Sequence, residues 1–189
     1  GDQILYLLAK EKFQHNIYLG TKGVVGTLMS NQGLVDALNE IDIELVRSDV
    51  GDRNVFEKLE ELGWELGGEQ SGHIICLDSA ITGDAIIASI KLLDAIDFSY
   101  EKFKEKIKDF KKYPQILRNI KTTDPDKILK NKKFNDLKKK CENEIKDIGR
   151  INVRKSGTES LLRIMVESND SSTTKLISNK LADLAINLS

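Results

Sequence analysis

The chain has 189 residues, of which 40% are hydrophobic and 31% charged, and its net charge is −1. This length fits one or two domains, and the apolar content is enough for ordinary hydrophobic cores. The sequence holds no apolar run of about 18 residues, so we expect no membrane span and no membrane partner. Cys76 and Cys141 lack metal-like spacing, which indicates free thiols in a reducing, cytoplasmic setting.

Hydrophobic periodicity predicts that helices and strands alternate in the first part of the chain. In chain order we expect a helix capped by Asp2, a strand at 24–29, a helix capped by Asn31, a strand at 43–47, a helix after Asp52, a glycine-rich hairpin, and a helix from about Asp84 to Ile96. This order is typical of an α/β sandwich with a mixed sheet.

The pattern changes at Pro114, because proline disfavours helix in the residue before it. After it we expect a smaller α+β domain with an antiparallel sheet, in the order β-α-β-β-α. Its elements are a strand at 116–120, a polar helix at 131–145, two strands around 150–153 and 161–167, and a last helix with Leu176, Ile177, Leu181, Leu184 and Ile186. We therefore divide the chain into domains 1–110 and 111–189.

The stretch from Lys102 to Lys146 is strongly basic, which would suit nucleic acid. Its lysines are interrupted by acidic residues, and aromatic residues do not alternate with them as stacking platforms would. We therefore expect solvated helix faces and no nucleic-acid partner. A nucleic-acid-binding protein stays the alternative that salt-dependent duplex binding would reveal.

A loop rich in phosphate-binding groups lies between the last two predicted strands. It reads Arg154-Lys155-Ser156-Gly157-Thr158-Glu159, with Arg163 on the returning strand. Arginine forks, hydroxyls and close backbone N–H groups are what proteins use to hold phosphate. We expect Arg154, at the mouth of the loop, to lie nearer the phosphate than Arg163. The alternative is an ordinary surface hairpin with incidental charges.

A second candidate loop is Gly67-Gly68-Glu69-Gln70-Ser71-Gly72-His73. Glycines allow positive φ and a close approach to a ligand. If the stretch is extended, Glu69, Ser71 and His73 point the same way, because side chains repeat every two residues. A carboxylate and a hydroxyl beside an imidazole suit a sugar. The alternative is a glycine-rich turn with a structural histidine.

Together the two loops resemble the α-D-phosphohexomutase superfamily, with Glu69–His73 similar to its sugar loop and Arg154–Glu159 similar to its phosphate loop. Gln70, Gly157, the stretch 26–31 and the stretch 50–53 are similar to the phosphoglucosamine mutase branch. Phosphomannomutases and phosphoglucomutases of the same superfamily are the alternative. Lys155 and Ser160 depart from the family, which commonly has proline at both positions, and the departure should loosen the loop.

The resemblance implies two domains of a four-domain enzyme, the third and the C-terminal one, the latter similar to the TATA-box-binding protein in fold. It implies interconversion of glucosamine 6-phosphate and glucosamine 1-phosphate through a phosphoserine and a sugar bisphosphate, with Mg²⁺, for UDP-N-acetylglucosamine and peptidoglycan synthesis. In the family, the phosphoserine belongs to the first domain and the metal loop to the second. We expect these two N-terminal domains, which this sequence lacks, to be partners of the chain in the full-length enzyme. We expect no metal ligand here, and this chain alone to be inactive. The oligomeric state stays open.

The resemblance also implies residue roles. Arg154, Ser156, Gly157, Thr158 and Arg163 would bind the phosphate that is not transferred, with Glu159 orienting an arginine. Glu69, Ser71 and His73 would hold the sugar.

His73 and Asp52 are candidates for proton transfer. Alternatively, Asp52 and Arg53 form a helix N-cap and first-turn pair. We expect His15 to be an ordinary solvated histidine. A non-catalytic sugar-phosphate-binding module stays a further alternative.

Overall fold

The computed structural model describes residues 1–14, 23–157 and 159–189. The chain divides into two compact units, Gly1–Lys112 and Tyr113–Ser189. Each unit has its own sheet and its own hydrophobic core. His15 lies outside the described residues.

Helices and strands alternate in the first unit, as the periodicity predicts. Its elements are α1 (Asp2–Gln14), β1 (Gly23–Thr27), α2 (Gln32–Asn39), β2 (Glu44–Ser48), α3 (Asp52–Leu62), β3 (Leu66–Gly68), β4 (Ile74–Cys76), α4 (Ala85–Ala95) and α5 (Tyr100–Ile107). The sheet order is β2-β1-β3-β4. Strand β1 is parallel to β2 and β3, whereas β3 and β4 are antiparallel. The predicted mixed sheet is confirmed.

Helices cover both faces of this sheet. Adjacent residues of a strand point to opposite faces, and β1 buries both of its central valines. Val24 packs in a cluster with residues of α1 and α2, including Tyr6 and Leu38. Val25 packs in a second cluster with Val55 of α3. The unit is therefore a three-layer α/β/α sandwich.

One of the predicted helix caps is wrong, and one is confirmed. Asn31 caps α2, accepting a hydrogen bond from the Gly33 N–H at 3.0 Å. Asp2 lies inside α1 and is buried, and it accepts from the Asn31 N–H at 3.1 Å, which belongs to a different segment. Asp52 is the first residue of α3, whose N-cap is Gly51. The spacing of polar residues alone could not distinguish these positions.

Gly67 sets how closely α3 approaches the sheet. A Cβ at this position would lie 2.8 Å from Val55 Cγ1 and 2.9 Å from the Val25 carbonyl oxygen. The carbonyl belongs to the backbone of the neighbouring strand and cannot move aside. A side chain here would push α3 away from β1, so this glycine of the candidate sugar loop serves packing.

The second unit has an antiparallel sheet covered by helices. Its elements are β5 (Gln115–Lys121), α6 (Pro125–Leu129), α7 (Lys132–Ile145), β6 (Gly149–Lys155), β7 (Leu161–Ser168) and α8 (Ser171–Leu188). The strand order is β5-β7-β6, and both pairings are antiparallel, as predicted. Alternate residues of β7, including Ile164, pack with Phe134 of α7 and Leu181 of α8.

Helix α6 was not predicted from the sequence. Asp124 caps it by accepting from the Lys127 N–H at 3.0 Å, and Pro125 occupies the first helical turn. Asp followed by Pro is a recognised helix start, so the signal was present. The helix has only five residues, too few for a periodic apolar pattern.

Two sequence expectations on cysteines and membranes can be compared with the described residues. Cys76 and Cys141 are free and buried, in agreement with the prediction. Among the described residues, none of the helices combines the length and the hydropathy that crossing a membrane requires.

We predict that Gly67→Ala destabilises the first unit by about 1–3 kcal/mol, because the added methyl group overpacks the contact with Val55 and Val25. Gly157→Ala is the matched control, since a Cβ there would meet no atom within 4 Å. Urea unfolding followed by circular dichroism measures both variants. Equal midpoints for Gly67→Ala and the wild-type chain would contradict the packing role.

Candidate functional site

The segment between β3 and β4 forms a tight turn. The Gly72 N–H donates to the Glu69 carbonyl at 2.9 Å, and the Glu69 N–H donates to the His73 carbonyl at 2.8 Å. Gly72 has a φ of 106°, a conformation that glycine adopts readily. The prediction of an extended stretch is wrong here, since residues 70 and 71 lie in the turn. The alternation argument for Glu69, Ser71 and His73 therefore does not hold.

Glu69 connects this turn to the start of α3. Its Oε1 accepts from the Gly51 N–H at 2.9 Å, and Gly51 precedes Asp52. Gly51 has a φ of 125°, which aims its N–H with no penalty from a side chain. The carboxylate is partly exposed, so it can accept further hydrogen bonds. Glu69 thus holds together the turn at 69–73 and the backbone at Gly51, which are separate in the sequence.

Asp52 lines the same cleft as Gly83, and His73 lies against Gly83. Asp52, Arg53, Phe56, Ile75, Ile81, Thr82 and Gly83 line a cleft of about 310 Å³. A Cβ on Gly83 would lie 3.0 Å from His73 Cδ2, so the imidazole rests against this glycine. Both Asp52 and His73 are exposed, and so is Ser71. These side chains can reach a ligand without any rearrangement of the core.

Asp2 is a residue of this region that the sequence analysis assigned only to a helix cap. Its Oδ2 accepts from the Asn31 N–H at 3.1 Å and from Gln70 Nε2 at 3.4 Å. Its Oδ1 is buried without a hydrogen-bond partner among the described residues. Burial raises the pKa of this carboxyl above its usual range, against the hydrogen bond from Asn31, which lowers it. Only the tertiary fold reveals that Asp2 supports the turn at Gln70.

In the second unit, the β6–β7 register places Arg154 directly opposite Arg163. Residues opposite each other in an antiparallel pair share one face of the sheet, with Cβ atoms about 4.5–5.5 Å apart. Both arginines thus occupy the same cross-strand pair, and the expectation that Arg154 lies nearer the phosphate stays a prediction. Asn119 of β5 is opposite Arg163 on the other side.

Glu159 pairs with one of the two arginines. Its Oε2 accepts from Arg163 Nη2 at 2.9 Å, which agrees with the expectation that Glu159 orients an arginine. The Glu159 N–H donates to Ser156 Oγ at 3.3 Å, so the serine hydroxyl also fixes the loop. Gly157 is exposed, and Thr158 lies outside the described residues.

The charges of this loop are unbalanced. Within the described residues, Arg154 has no ion-pair partner, while Arg163 is paired with Glu159 and its Nε is buried without a partner. Two guanidinium groups on one sheet face repel each other, and like charges directly opposite destabilise a strand pair. An anion between them would relieve that repulsion, and a phosphate matches the guanidinium fork.

A metal site is a separate question. Over residues 1–14, 23–157 and 159–189, the structure shows no group of three or more His, Cys, Asp or Glu side chains arranged to hold a metal ion.

Comparison with known proteins places both units in one family. The family described as "Phosphoglucomutase/phosphomannomutase, alpha/beta/alpha domain III" matches residues 1–113. The "Phosphoglucomutase/phosphomannomutase, C-terminal domain" matches residues 117–184. The chain belongs to the phosphoglucomutase/phosphomannomutase family, and the resemblance seen in the sequence is confirmed.

The curated relatives of this chain carry a more specific name than the family does. Phosphoglucosamine mutase of Erwinia tasmaniensis is 43% identical over 183 residues, which is 97% of this chain and 41% of the relative. Phosphoglucosamine mutase 2 of Shewanella frigidimarina is 48% identical over 172 residues, 90% of this chain and 38% of the relative. The chain thus spans about two fifths of the length of these relatives.

Solved structures share the fold. Aspergillus fumigatus N-acetylphosphoglucosamine mutase, in complex with GlcNAc-6P and magnesium, matches 100% of this chain and 44% of its own, with a TM-score of 0.73 and 15% identity. At this identity the likeness shows the fold alone.

We predict that Arg154→Lys weakens phosphate binding by roughly 1–3 kcal/mol, or about ten- to a hundredfold, since lysine keeps the charge but loses the planar fork. The fold should not change, because the side chain is only partly buried. Phosphate titration followed by the amide shift of Gly157 compares the variant with the wild-type chain. An equal response of the two proteins would remove Arg154 from the site.

We also predict that Asp2→Asn stabilises the first unit at neutral pH. The folded pKa of Asp2 is raised, so the ionised carboxylate costs stability above that pKa, and the cost disappears below the unfolded value of about 3.9. Asparagine keeps an oxygen acceptor for the Asn31 N–H. Urea midpoints of both proteins between pH 8 and pH 4 should converge as the pH falls. A gap that widens toward acid would show that the ionised form is favoured.

Proposed function

We propose that this chain forms the sugar- and phosphate-binding part of a phosphoglucosamine mutase, which interconverts glucosamine 6-phosphate and glucosamine 1-phosphate. The observation that carries the proposal is the arginine pair at 154 and 163, with one guanidinium lacking an ion partner among the described residues. The names of the relatives at 43% and 48% identity support the amino sugar as substrate. The two-domain division belongs to the proposal, with 1–110 for the sugar and 111–189 for the phosphate.

In the second unit, Arg154 and Arg163 would bind the phosphate that is not transferred. A phosphate carries several charged acceptor oxygens, so it can engage both guanidinium forks at once. Glu159 would then orient Arg163 from the side, and it would not itself contact the anion. Ser156, Gly157 and Thr158 would add hydroxyl and backbone N–H donors.

In the first unit, Glu69 and Ser71 would accept from and donate to sugar hydroxyls. Glu69 is held by the Gly51 N–H through one oxygen, so its other oxygen is available to a ligand. A mutase must bind its sugar in two orientations, because either end can carry the transferred phosphate. Acceptors that recognise neighbouring hydroxyls serve both orientations.

His73 and Asp52 would move or hold the proton of the hydroxyl that accepts the phosphoryl group. Both side chains are exposed; Asp52 lines a cleft with Gly83, and His73 lies against Gly83. An imidazole titrates near neutral pH and suits this role. Asp52 Oδ1 already accepts from the Arg53 N–H at 2.9 Å, so its second oxygen would face the substrate.

The remaining chemistry is proposed to lie in the further length of the polypeptide. A phosphoserine and Mg²⁺ would be supplied there, and the metal ion neutralises charge on the group in transfer. The reaction would provide an amino-sugar phosphate for UDP-N-acetylglucosamine and peptidoglycan precursors in the cytoplasm. Without that further length, this chain would bind substrate but would not turn it over.

Titration of this chain with the two glucosamine phosphates, inorganic phosphate, glucosamine, and the phosphates of glucose and mannose tests the binding claim. We expect glucosamine 6-phosphate and glucosamine 1-phosphate to bind with similar affinity, inorganic phosphate more weakly, and glucosamine weakest. Amide shifts at Gly72 and Gly157 report the two loops. Tighter binding of glucose or mannose phosphates would favour the phosphoglucomutase and phosphomannomutase alternative, and no binding of any phosphate would contradict the proposal.

Activity is tested in a chimera that joins Gly1 to the part of the Erwinia tasmaniensis relative outside the match. We predict that Glu69→Gln lowers kcat/KM by about ten- to a hundredfold, since a neutral acceptor replaces charge-assisted hydrogen bonds of roughly 1.5–3 kcal/mol. Glutamine keeps an oxygen for the Gly51 N–H, so the fold should persist. Glu60→Gln, at an exposed position of α3, is the control. An inactive parent chimera that still binds both substrates would favour a binding module.

A further inference from the structure

Helix α4 presents an apolar face to solvent. Ile86, Ile90 and Leu93 are 72%, 61% and 39% exposed. They are spaced four and three residues apart, so they lie on one side of the helix. Single exposed apolar residues are ordinary, but a contiguous set marks an interaction surface.

The small residues of this face are compatible with close packing. Ala85 and Ser89 lie between the large side chains and are exposed. Ser89 Oγ donates to the Ala85 carbonyl at 2.6 Å, so its hydroxyl is satisfied within the helix. We call these five residues the α4 face. It can be covered by apolar groups without leaving an unpaired polar atom.

The opposite side of α4 packs into the first unit. Ala88 and Ala95 are buried, and Ala95 packs with Leu7 of α1 and with Ile96. Lys91, paired with Asp78 at 3.1 Å, and the exposed Asp94 border the α4 face, so the exposed apolar surface is confined to one side of the helix. Exposed apolar side chains also flank the helix at Ile81, which is 84% exposed.

We propose that the α4 face is the docking surface for the part of the family polypeptide that the relatives carry outside the match. This chain covers 41% of the Erwinia tasmaniensis relative and matches the family's C-terminal domain, so the further length of that relative precedes the part matched by residues 1–113. It would therefore join at Gly1, which leads into α1, and α1 packs against α4. A covalently joined neighbour has a high effective concentration at this surface.

The composition of the face favours a permanent neighbour over a transient one. Permanent interfaces resemble a domain core, whereas transient ones carry more polar groups. None of the five residues is charged. This inference rests on family membership and does not depend on the catalytic roles proposed above.

The test compares Ile90→Asp with Ile186→Asp, since Ile186 is 57% exposed on α8 of the second unit. In the 189-residue chain both variants should unfold at the wild-type temperature, because each side chain is exposed. In the chimera, Ile90→Asp should lower the thermal midpoint by about 4 °C or more, and Ile186→Asp should not. Hydrogen exchange of α4 should be slower in the chimera than in the chain.

Three results would overturn the proposal. The first is exchange of α4 that is as fast in the chimera as in the chain. The second is a dimer of the 189-residue chain that Ile90→Asp dissociates, which would make a second copy the occupant. The third is a chimera in which Ile90→Asp leaves the thermal midpoint at that of the parent chimera. Because these readouts are stability and exchange, they stay interpretable even if the mutase activity is absent.

Discussion

The register of the β6–β7 strand pair determines where the charged side chains of the second unit lie. Arg154 faces Arg163 across β6 and β7, and this places two positive charges side by side on one sheet face. Like charges in that position oppose strand pairing, and burial of Leu162, Ile164 and Val166 on the other face offsets the cost. Glu159 pairs with the Arg163 guanidinium, whereas Arg154 has no ion-pair partner within residues 1–14, 23–157 and 159–189. A one-residue slip of either strand would turn the arginine of that strand toward the core.

In the first unit, the proposed sugar loop is held in place by hydrogen bonds from other segments. Its turn at 69–73 is positioned from two sides, by the Gly51 N–H on Glu69 and by Asp2 on Gln70. Asp2 is buried, and its pKa is raised by burial, so the unit sacrifices stability at neutral pH to hold this turn. Such a sacrifice is typical of functional sites, where strain or buried charge is retained for geometry. Both units thus concentrate an unfavourable electrostatic arrangement at the proposed ligand loops.

The sequence predicted the elements well and the contacts within the loops less well. Periodicity located the long helices and the strands because burial on one face imposes a repeat. It failed at Asp2, whose hydrogen-bond partner Asn31 is 29 residues away, and at Ser71, where a turn replaces the extended stretch. Local patterns carry no information on such distant partners. The residue types of both loops were identifiable as candidates because phosphate and sugar recognition generally require a small set of side chains. The orientations of these side chains became visible only with the strand register and the turn.

The central claim is that Arg154 and Arg163 bind one phosphate together. The most direct measurement follows the side-chain Nε–H signals of both arginines by NMR while glucosamine 6-phosphate is added. We predict that both Nε–H signals shift along one saturable curve with the same apparent Kd. The Arg163 signal should shift because the ligand alters the contact between Arg163 and Glu159. Shifts confined to one arginine, or to neither while other residues respond, would contradict the account.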